Sequence, residues 1–258
     1  MVNFFLIFSL LINLLLIFLA AKISYNKGGL AYILYRLRLT SKTPTGIITP
    51  GLPTPYYVQR ASHFETLPNE DNGIIFVGDS IINGCEWSEL LQNSDIKNRG
   101  VISDSTDGIL NRIDKTLEAK PKKIFIMIGV NDLSSGSPLD LIVSNYEKIV
   151  DKIKANSPLT EIYIHSVLPT NDIYYKGNAT NDKIRILNER LQTIANKYGL
   201  NYIDVFSKVL DNNGRLDERY SNDGVHLLGK GYLVGKLQLK SILIRLLQGN
   251  TSSNKTGV

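Results

Sequence analysis

Short runs of consecutive apolar residues recur along most of this chain and are separated by longer, amphipathic segments. A run rich in β-branched and aromatic residues is typical of a strand buried on both faces of a parallel sheet. Each run is followed by glycine, proline or a polar turn. Five runs are predicted to be strands: Ile74–Val77, Ile96–Val101, Lys123–Gly129, Glu161–Leu168 and Asn201–Phe206.

The segments between these runs have apolar residues at helical spacing, as in Leu139–Ala155. Helices are predicted at Tyr56–Leu67, Glu86–Leu91, Asp107–Ala119, Leu139–Ala155, Lys183–Lys197 and Gly229–Leu247. Strands that alternate with helices of this length favour right-handed βαβ units. We therefore predict an α/β domain of three layers, with a parallel sheet of about five strands between two layers of helices.

The N-terminal segment departs from this alternation. Phe4–Ala21 is an apolar run of 18 residues that carries no charge and is broken only by Ser9 and Asn13. This is close to the minimum length of a transmembrane helix. No basic residue precedes the run, and Leu19–Ala21 is a poor signal-peptide cleavage site. The pattern predicts an uncleaved, single-pass transmembrane helix in contact with membrane lipid.

Charge is distributed unevenly along the chain. Residues 1–60 hold six of the 29 Lys and Arg residues and none of the 24 Asp and Glu, so residues 61–258 carry 23 basic and 24 acidic residues. Because this balance leaves no basic stripe, nucleic acid is not expected as a partner. Five of the six basic residues, from Lys22 to Lys42, follow the apolar run. The positive-inside rule then predicts a cytoplasmic domain; the alternative is an extracytoplasmic one.

Four prolines within twelve residues, from Pro44 to Pro55, indicate an extended linker. The predicted organisation is an anchor with a basic interfacial segment at 1–42, a linker at 43–55, a folded domain at 56–248 and a polar tail at 249–258. Within the first part, Leu30–Leu39 mixes aromatic, aliphatic and arginine residues. This mixture suits a helix lying on anionic lipid, although an amphipathic helix packed on the domain is the alternative.

Polar residues that could carry chemistry follow the predicted strands. Gly78-Asp79-Ser80 ends the first strand, and Asn131-Asp132 follows the third. The carboxyl ends of parallel strands meet at one edge of the sheet, where open α/β sheets place reactive groups. A serine hydroxyl becomes a good nucleophile only beside a base such as imidazole. Taken alone, Asp79 and Ser80 could merely cap a helix, and Asn131-Asp132 could be only a turn.

These segments, together with Asn98-Arg99-Gly100 and Asp223-Gly224-Val225-His226, resemble the SGNH or GDSL family of serine esterases and lipases. The resemblance extends from Gly73 to the last helix and implies a flavodoxin-like SGNH-hydrolase fold. It implies the following roles: Ser80 as the nucleophile, His226 as the general base, Asp223 as the residue that orients the imidazole, and the N–H groups of Ser80 and Gly100 with the Asn131 amide as the oxyanion hole.

Other candidate residues have simpler interpretations. Cys85 is the only cysteine and is expected to be a small buried side chain, and His165 a structural or pocket-lining residue. No cluster of Cys, His and acidic residues predicts a metal, and no G-x-G-x-x-G motif predicts a dinucleotide, so no cofactor is expected. One departure from the family pattern follows Gly100: many members of the family have a small polar pair one position further on, where this chain has Ile102-Ser103. This departure leaves the shape of the acyl or alcohol pocket open.

The predicted function is a membrane-anchored serine esterase that hydrolyses carboxylic esters through an acyl-serine intermediate. The domain lacks evident lid insertions, which favours a short acyl group such as acetyl, and the anchor favours a lipid or glycan ester. Two alternatives remain: an O-acyltransferase that uses a sugar hydroxyl, and a catalytically silent binding module. The pattern predicts no particular oligomeric state.

Overall fold

The structure, a computed structural model, describes residues 54–68 and 73–249, together with residues 9, 12–14, 18 and 22, and describes side chains as far as residue 239. The chain divides into two units, Met1–Arg60 and Ala61–Val258, and the second contains the sheet. Most of the predicted span Phe4–Ala21, all of Leu30–Leu39 and the residues after 249 lie outside the described residues. Among those described, no helix is both long enough and apolar enough to cross a membrane.

Strands and helices alternate along the described part of the chain, as the apolar pattern predicts. In chain order the elements are α1 (Pro55–Thr66), β1 (Ile74–Gly78), α2 (Ser80–Asn83), α3 (Trp87–Leu91), β2 (Ile96–Gly100), α4 (Thr106–Glu118), β3 (Lys123–Met127), α5 (Val130–Ser134), α6 (Leu139–Asn156), β4 (Glu161–His165), α7 (Asn181–Tyr198), β5 (Asn201–Ile203), a 3₁₀ helix (Phe206–Lys208) and α8 (Gly229–Gly249).

The described strands form one parallel sheet in the order β2-β1-β3-β4-β5. This is the flavodoxin-like order, in which the chain first builds outward to β2 and then returns to the other side of β1. The direction of building reverses between β1 and β3, and the carboxyl ends of these two strands form the crevice where such folds bind ligands. The residues that follow β1 and β3 therefore meet at this crevice.

Apolar side chains cover both faces of the sheet because successive residues of a strand point to opposite sides. On one face, Ile75 and Val77 belong to a core built with α4, α6 and α7. On the other, Ile74 and Phe76 belong to a core built with α2, α3 and α8. The predicted parallel sheet of about five strands between two helical layers is confirmed for the described residues.

Three strands end two or three residues earlier than the apolar runs predict, and for β3 and β4 hydrogen bonds from helix side chains explain why. Beyond β3, the Tyr146 hydroxyl donates to the Ile128 carbonyl at 2.8 Å. Beyond β4, the Asn188 side chain bonds both the N–H and the carbonyl of Val167, at 2.7 and 2.9 Å. Buried backbone groups need partners, and these side chains replace a neighbouring strand. The observed and predicted last residues are Met127 against Gly129, His165 against Leu168, and Ile203 against Phe206.

Candidate active site

Ser80 is the first residue of α2 and directly follows β1 across Asp79. The Oδ1 atom of Asp79 accepts the N–H of Ile81 at 2.9 Å, so Asp79 caps the helix. The turn can be this tight because residue 78 is glycine: a Cβ there would lie 2.2 Å from the carbonyl oxygen of Met127. Ser80 is thus lifted to the carboxyl edge of the sheet, with its N–H in the first turn of a helix, where N–H groups have no intrahelical acceptor.

Asp79 lies beneath the nucleophile position and is 1% exposed. Burial raises the pKa of its carboxyl group to about 7, and the negative charge of Asp104 adds to this, although the hydrogen bond from Ile81 acts in the opposite direction. Burial disfavours the ionised form of a carboxyl group. Asp79 therefore retains its proton up to about neutral pH, which agrees with the expectation that it organises the turn.

The structure brings Ser80, His226 and Asp223 together, although Ser80 and His226 are 146 positions apart. The Oγ of Ser80 lies 2.9 Å from Nε2 of His226. The Nδ1 of the same ring lies 2.6 Å from Oδ2 of Asp223. With the ring proton on Nδ1 and bonded to Asp223, Nε2 has a lone pair that can accept the hydroxyl proton.

The second oxygen of Asp223 holds its own loop. Its Oδ1 accepts the N–H groups of Val225 and His226 at 2.9 and 2.8 Å. Partial burial by itself would raise the pKa of Asp223, but hydrogen bonds from the His226 ring and from these two N–H groups outweigh it and lower the pKa to about 2. Asp223 is therefore ionised across the ordinary pH range.

The Asp223–His226 loop is fastened to the loop that follows β4. Gly224 has a φ of +83°, and a Cβ at this position would lie 2.7 Å from the carbonyl oxygen of Asn171. The N–H of Asn171 donates to the Gly224 carbonyl at 2.9 Å. Only glycine combines this left-handed backbone with so close an approach, so Gly224 allows the loop that carries His226 to pack against the loop after β4.

Asn131 lies in α5, a short helix that the sequence pattern did not predict. Its side-chain amide donates to the carbonyl oxygen of Asp104 at 2.9 Å. An asparagine amide has two N–H donors, so this bond fixes the plane of the amide and leaves a second N–H. Asn131 lines the same cleft as Ser80 and His226, and the predicted oxyanion role is compatible with that place.

Gly100 has a different environment from the one that its predicted role suggests. Its N–H donates to Oδ1 of Asn98 at 2.8 Å, so this donor already has an acceptor. A Cβ at residue 100 would lie 2.2 Å from the backbone nitrogen of Asn83. The glycine therefore allows β2 to pack against α2, the helix that carries Ser80. Its donation to an acyl oxygen stays a prediction.

The cleft above Ser80 has a volume of about 430 Å³, and part of its wall comes from the loop after β4. On that loop, the Tyr175 hydroxyl lies 2.6 Å from Oγ of Ser134. Sequence patterns did not indicate this wall, because the loop has no apolar periodicity and comes near Ser80 only through the fold. The lining residues are Ser80, Val130, Asn131, Ser134, Tyr174, Tyr175, Lys176, Gly177, Asp223, Val225 and His226.

The remaining candidate side chains lie in the core. His165 is 1% exposed, and burial lowers the pKa of its imidazole to about 3. Its ring lies 5.8 Å from that of Phe125, edge to face. Burial also raises the pKa of the Cys85 thiol to about 12, with a further contribution from Glu86. Among the described residues, no group of three or more His, Cys, Asp or Glu is placed to hold a metal ion.

A serine, an imidazole and a carboxylate at successive hydrogen-bond distances, at the switch point of a parallel sheet, form the arrangement of a serine hydrolase. Residues 76–234 match the GDSL-like Lipase/Acylhydrolase family. The match covers most of the described α/β unit, from β1 into α8. The chain belongs to this family, as the resemblance predicted, and is a carboxylic ester hydrolase.

Solved structures of other proteins have the same fold. A Streptococcus pneumonia protein, provisionally described as a platelet activating factor, is 30% identical over 73% of this chain and 92% of that chain, with a TM-score of 0.67. A GDSL-like lipase from Bacteroides thetaiotaomicron VPI-5482 has the same fold, with 21% identity over 74% and 98% of the two chains and a TM-score of 0.64. So does an acetyl-xylooligosaccharide esterase from Geobacillus Stearmophilus, with 17% identity, 67% and 94% coverage and a TM-score of 0.54. No curated protein sequence matches the chain.

Proposed function

We propose that the protein hydrolyses short-chain carboxylic esters through an acyl-serine intermediate, with Ser80 as the nucleophile. The observation that carries this proposal is the continuous series of contacts from Ser80 Oγ to His226 Nε2 at 2.9 Å and from His226 Nδ1 to Asp223 Oδ2 at 2.6 Å. In this arrangement the imidazole can accept the proton of the hydroxyl as a general base and then donate it to the leaving group as a general acid, while the ionised carboxylate stabilises the imidazolium.

In the proposed first step, Ser80 Oγ attacks the acyl carbon while its proton passes to Nε2 of His226. The resulting oxyanion is stabilised by the N–H of Ser80 and the Asn131 amide, with Gly100 as a further candidate donor. The alkoxide leaves and takes the proton from His226. Water then attacks the acyl-serine by the same route, which releases the carboxylic acid and restores Ser80.

A fluorophosphonate probe tests the nucleophile directly. We expect covalent labelling of the wild type and none of Ser80→Ala, while His226 remains in place in both. Asn131→Ala should lower kcat by roughly 10²–10³-fold, the usual loss for one oxyanion donor. Equal labelling of the wild type and Ser80→Ala would overturn the assignment of Ser80.

A small cavity beside the site supports a short acyl group. Its free volume is about 10 Å³, close to the space that one water molecule needs, and hence suited to a methyl group. Four of its lining residues are direct chain neighbours of Ser80, Asn131 or His226. The lining residues are Asp79, Ile81, Met127, Ile128, Val130, Val167, Leu168, Pro169 and Val225.

An acyl-length series tests this part of the proposal. With aryl esters of two to eight carbons, kcat/KM should be highest for the acetate. Val225→Ala removes two methyl groups from the cavity wall and should move the optimum to a longer acyl group, whereas Val58→Ala, in the exposed part of α1, should not. A wild-type optimum at six or more carbons would contradict the acetyl assignment.

The anchor and the substrate class form a second part of the proposal, supported by the sequence. We propose that Phe4–Ala21 is a single-pass membrane anchor and that the natural substrate is a lipid or glycan ester near the membrane, because tethering raises the local substrate concentration. A chain truncated to begin at Pro53 should be soluble and should retain activity on an aryl acetate. A folded but inactive truncated chain would contradict this division of roles.

We further propose that the hydrolase unit faces the cytoplasm, on the basis of the basic residues from Lys22 to Lys42. Protease added to intact cells should leave the unit undigested until the membrane is permeabilised. Digestion without permeabilisation would place the unit outside the cytoplasm.

A further assay distinguishes hydrolysis from acyl transfer. When a sugar with free hydroxyl groups is added to the ester assay, a transferase would form the sugar ester in place of the free acid.

A further inference from the structure

A buried ion pair between Asp104 and Arg112 is joined by one hydrogen bond to Asn131 of the proposed oxyanion hole. The carboxylate of Asp104 is fully buried, and its Oδ2 accepts hydrogen bonds from Nε and Nη2 of Arg112 at 2.8 and 2.6 Å. Arg112 itself is 10% exposed in its side chain. Buried charges of this kind are retained only where they are paired, so the two side chains form a unit between α4 and the loop that precedes it.

This pair contacts both parts of the site that must be aligned for acyl transfer. The Nη2 of Arg112 also donates to the carbonyl of Gly78 at 3.3 Å, two residues before Ser80. The backbone carbonyl of Asp104 accepts the Asn131 amide at 2.9 Å. Arg112 and Asp104 thus connect the strand end that carries the nucleophile with the side chain proposed to bind the oxyanion.

The loop that carries Asp104 needs this external support. It runs from Val101 to Ser105, and Ser103 within it has a φ of +63°, a left-handed conformation that non-glycine residues adopt at a cost. Two bonds hold Asp104 within the loop: its N–H donates to the Val101 carbonyl at 3.2 Å, and its Oδ1 accepts the Ser105 N–H at 2.9 Å. The bonds from Arg112 fix the remaining carboxylate oxygen to α4.

The backbone of α5 has a separate attachment. Asp132 accepts the hydroxyl and the N–H of Thr106, at 2.6 and 3.1 Å, and this joins α5 to the start of α4. The position of α5 therefore does not depend on Arg112. The orientation of the Asn131 amide depends on the Asp104 carbonyl, and the place of that carbonyl depends on the ion pair.

We propose that Arg112 and Asp104 are positioning residues that set the Asn131 amide and the nucleophile turn for the transition state. The inference rests on the proposed oxyanion role of Asn131. Arginine is suited to this task because its planar guanidinium can bond two acceptors at once. A lysine ammonium is a compact charge on a flexible chain and would not hold the Asp104 carboxylate and the Gly78 carbonyl in the same geometry.

The test is a double-mutant cycle between residues 112 and 131, with kcat measured on an aryl acetate per fluorophosphonate-titrated site. Arg112→Lys should lower kcat by roughly 10- to 100-fold, the scale expected for a small misplacement of a catalytic group. The KM should stay nearly constant, because the lost interaction acts in the transition state. In the Asn131→Ala background the same change should have little further effect, because both changes act through one amide.

Asp104→Asn is the second variant, which keeps the backbone carbonyl and the side-chain size but loses the charge. It too should lower kcat when Asn131 is present and have little further effect in the Asn131→Ala background. Arg190→Lys, in an ion pair with Asp140 on an exposed helix surface, is the matched control and should keep wild-type kcat. Equal losses in both Asn131 backgrounds, or fewer titratable sites with unchanged kcat per site, would show a purely structural role and overturn the inference. Wild-type activity of Asn131→Ala would instead refute the oxyanion role in the proposed function.

Discussion

Near the carboxyl edge of the sheet, one aspartate and one histidine are exposed to solvent, and another aspartate and another histidine are buried. Asp223 and His226 have side chains that are 48% and 52% exposed and lie 2.6 Å apart. Asp79 and His165 are each 1% exposed, and no hydrogen-bond partner for either ring nitrogen of His165 is found among the described residues. The same two residue types are therefore found both in the open cleft and in the buried core.

The difference in solvent and partners controls which form each group takes. Burial raises the pKa of Asp79 to about 7 and lowers that of His165 to about 3, so the buried residues are kept neutral in mildly acidic solution. In the cleft, hydrogen bonds overcome partial burial and lower the pKa of Asp223 to about 2. An ionised carboxylate beside an imidazole can stabilise a transient imidazolium, whereas a neutral buried group cannot.

The largest expected effect separates the two histidines. His226→Ala should lower kcat on an aryl acetate by about 10⁴- to 10⁶-fold, because the base that accepts the Ser80 proton is lost. His165→Phe should retain kcat within a few-fold, since a phenyl ring can pack against Phe125 in its place. The measurement is the steady-state kcat of the two variants, normalised to the concentration of folded protein. A comparable loss in both would place His165 in the chemistry.

The next effect separates the two aspartates. Asp223→Asn should lower kcat by up to about 10⁴-fold, because an amide no longer holds the required imidazole tautomer. Asp79→Asn can still accept the Ile81 N–H and should change kcat far less. The same kinetic assay at pH 8 measures both. If Asp79→Asn loses as much activity as Asp223→Asn, Asp79 has a role in the reaction beyond capping the helix.

Asp79 should also destabilise the fold at neutral pH. Its folded pKa of about 7 lies above the ordinary 3.8, so between these pH values the unfolded state is ionised while the folded state keeps its proton. Stability must then fall as pH rises, by up to about 4 kcal/mol at pH 7. Asp79→Asn, an equally good cap, should be more stable than wild type at pH 7 and similar at pH 4. Urea unfolding measures the difference, and a gap that does not change with pH would contradict it.

His165 should give the opposite pH dependence, with a smaller change in stability over the single pH unit measured. Its folded pKa of about 3 lies below the ordinary 6.5, so below pH 6.5 the unfolded state binds a proton that the folded state does not. The wild type should lose about 1.4 kcal/mol of stability per pH unit below this value, relative to His165→Phe. Urea unfolding of both proteins at pH 6.5 and 5.5 tests this. Parallel stability curves would show that the imidazole is protonated in the folded state.

The sequence by itself determined the class of fold and singled out four of the polar residues that line the cleft. Apolar runs such as Ile74–Val77 mark buried strands whatever their partners are, because burial on both faces requires apolar side chains at every position. Ser80, Asn131, Asp223 and His226 could be singled out because each occurs in a short motif next to a predicted strand end or helix. Their catalytic roles stay predictions that the variants above test.

Only the tertiary structure decided where strands end and which donors are available. Asn188 ends β4 by bonding Val167 from 21 positions away, and Asn98 occupies the Gly100 N–H that its motif suggested for an oxyanion. The Arg112–Asp104 pair has no sequence signal, since an arginine eight residues after an aspartate is unremarkable until both are buried together. Such contacts depend on the geometry of separate segments at atomic distances, which local residue patterns do not encode.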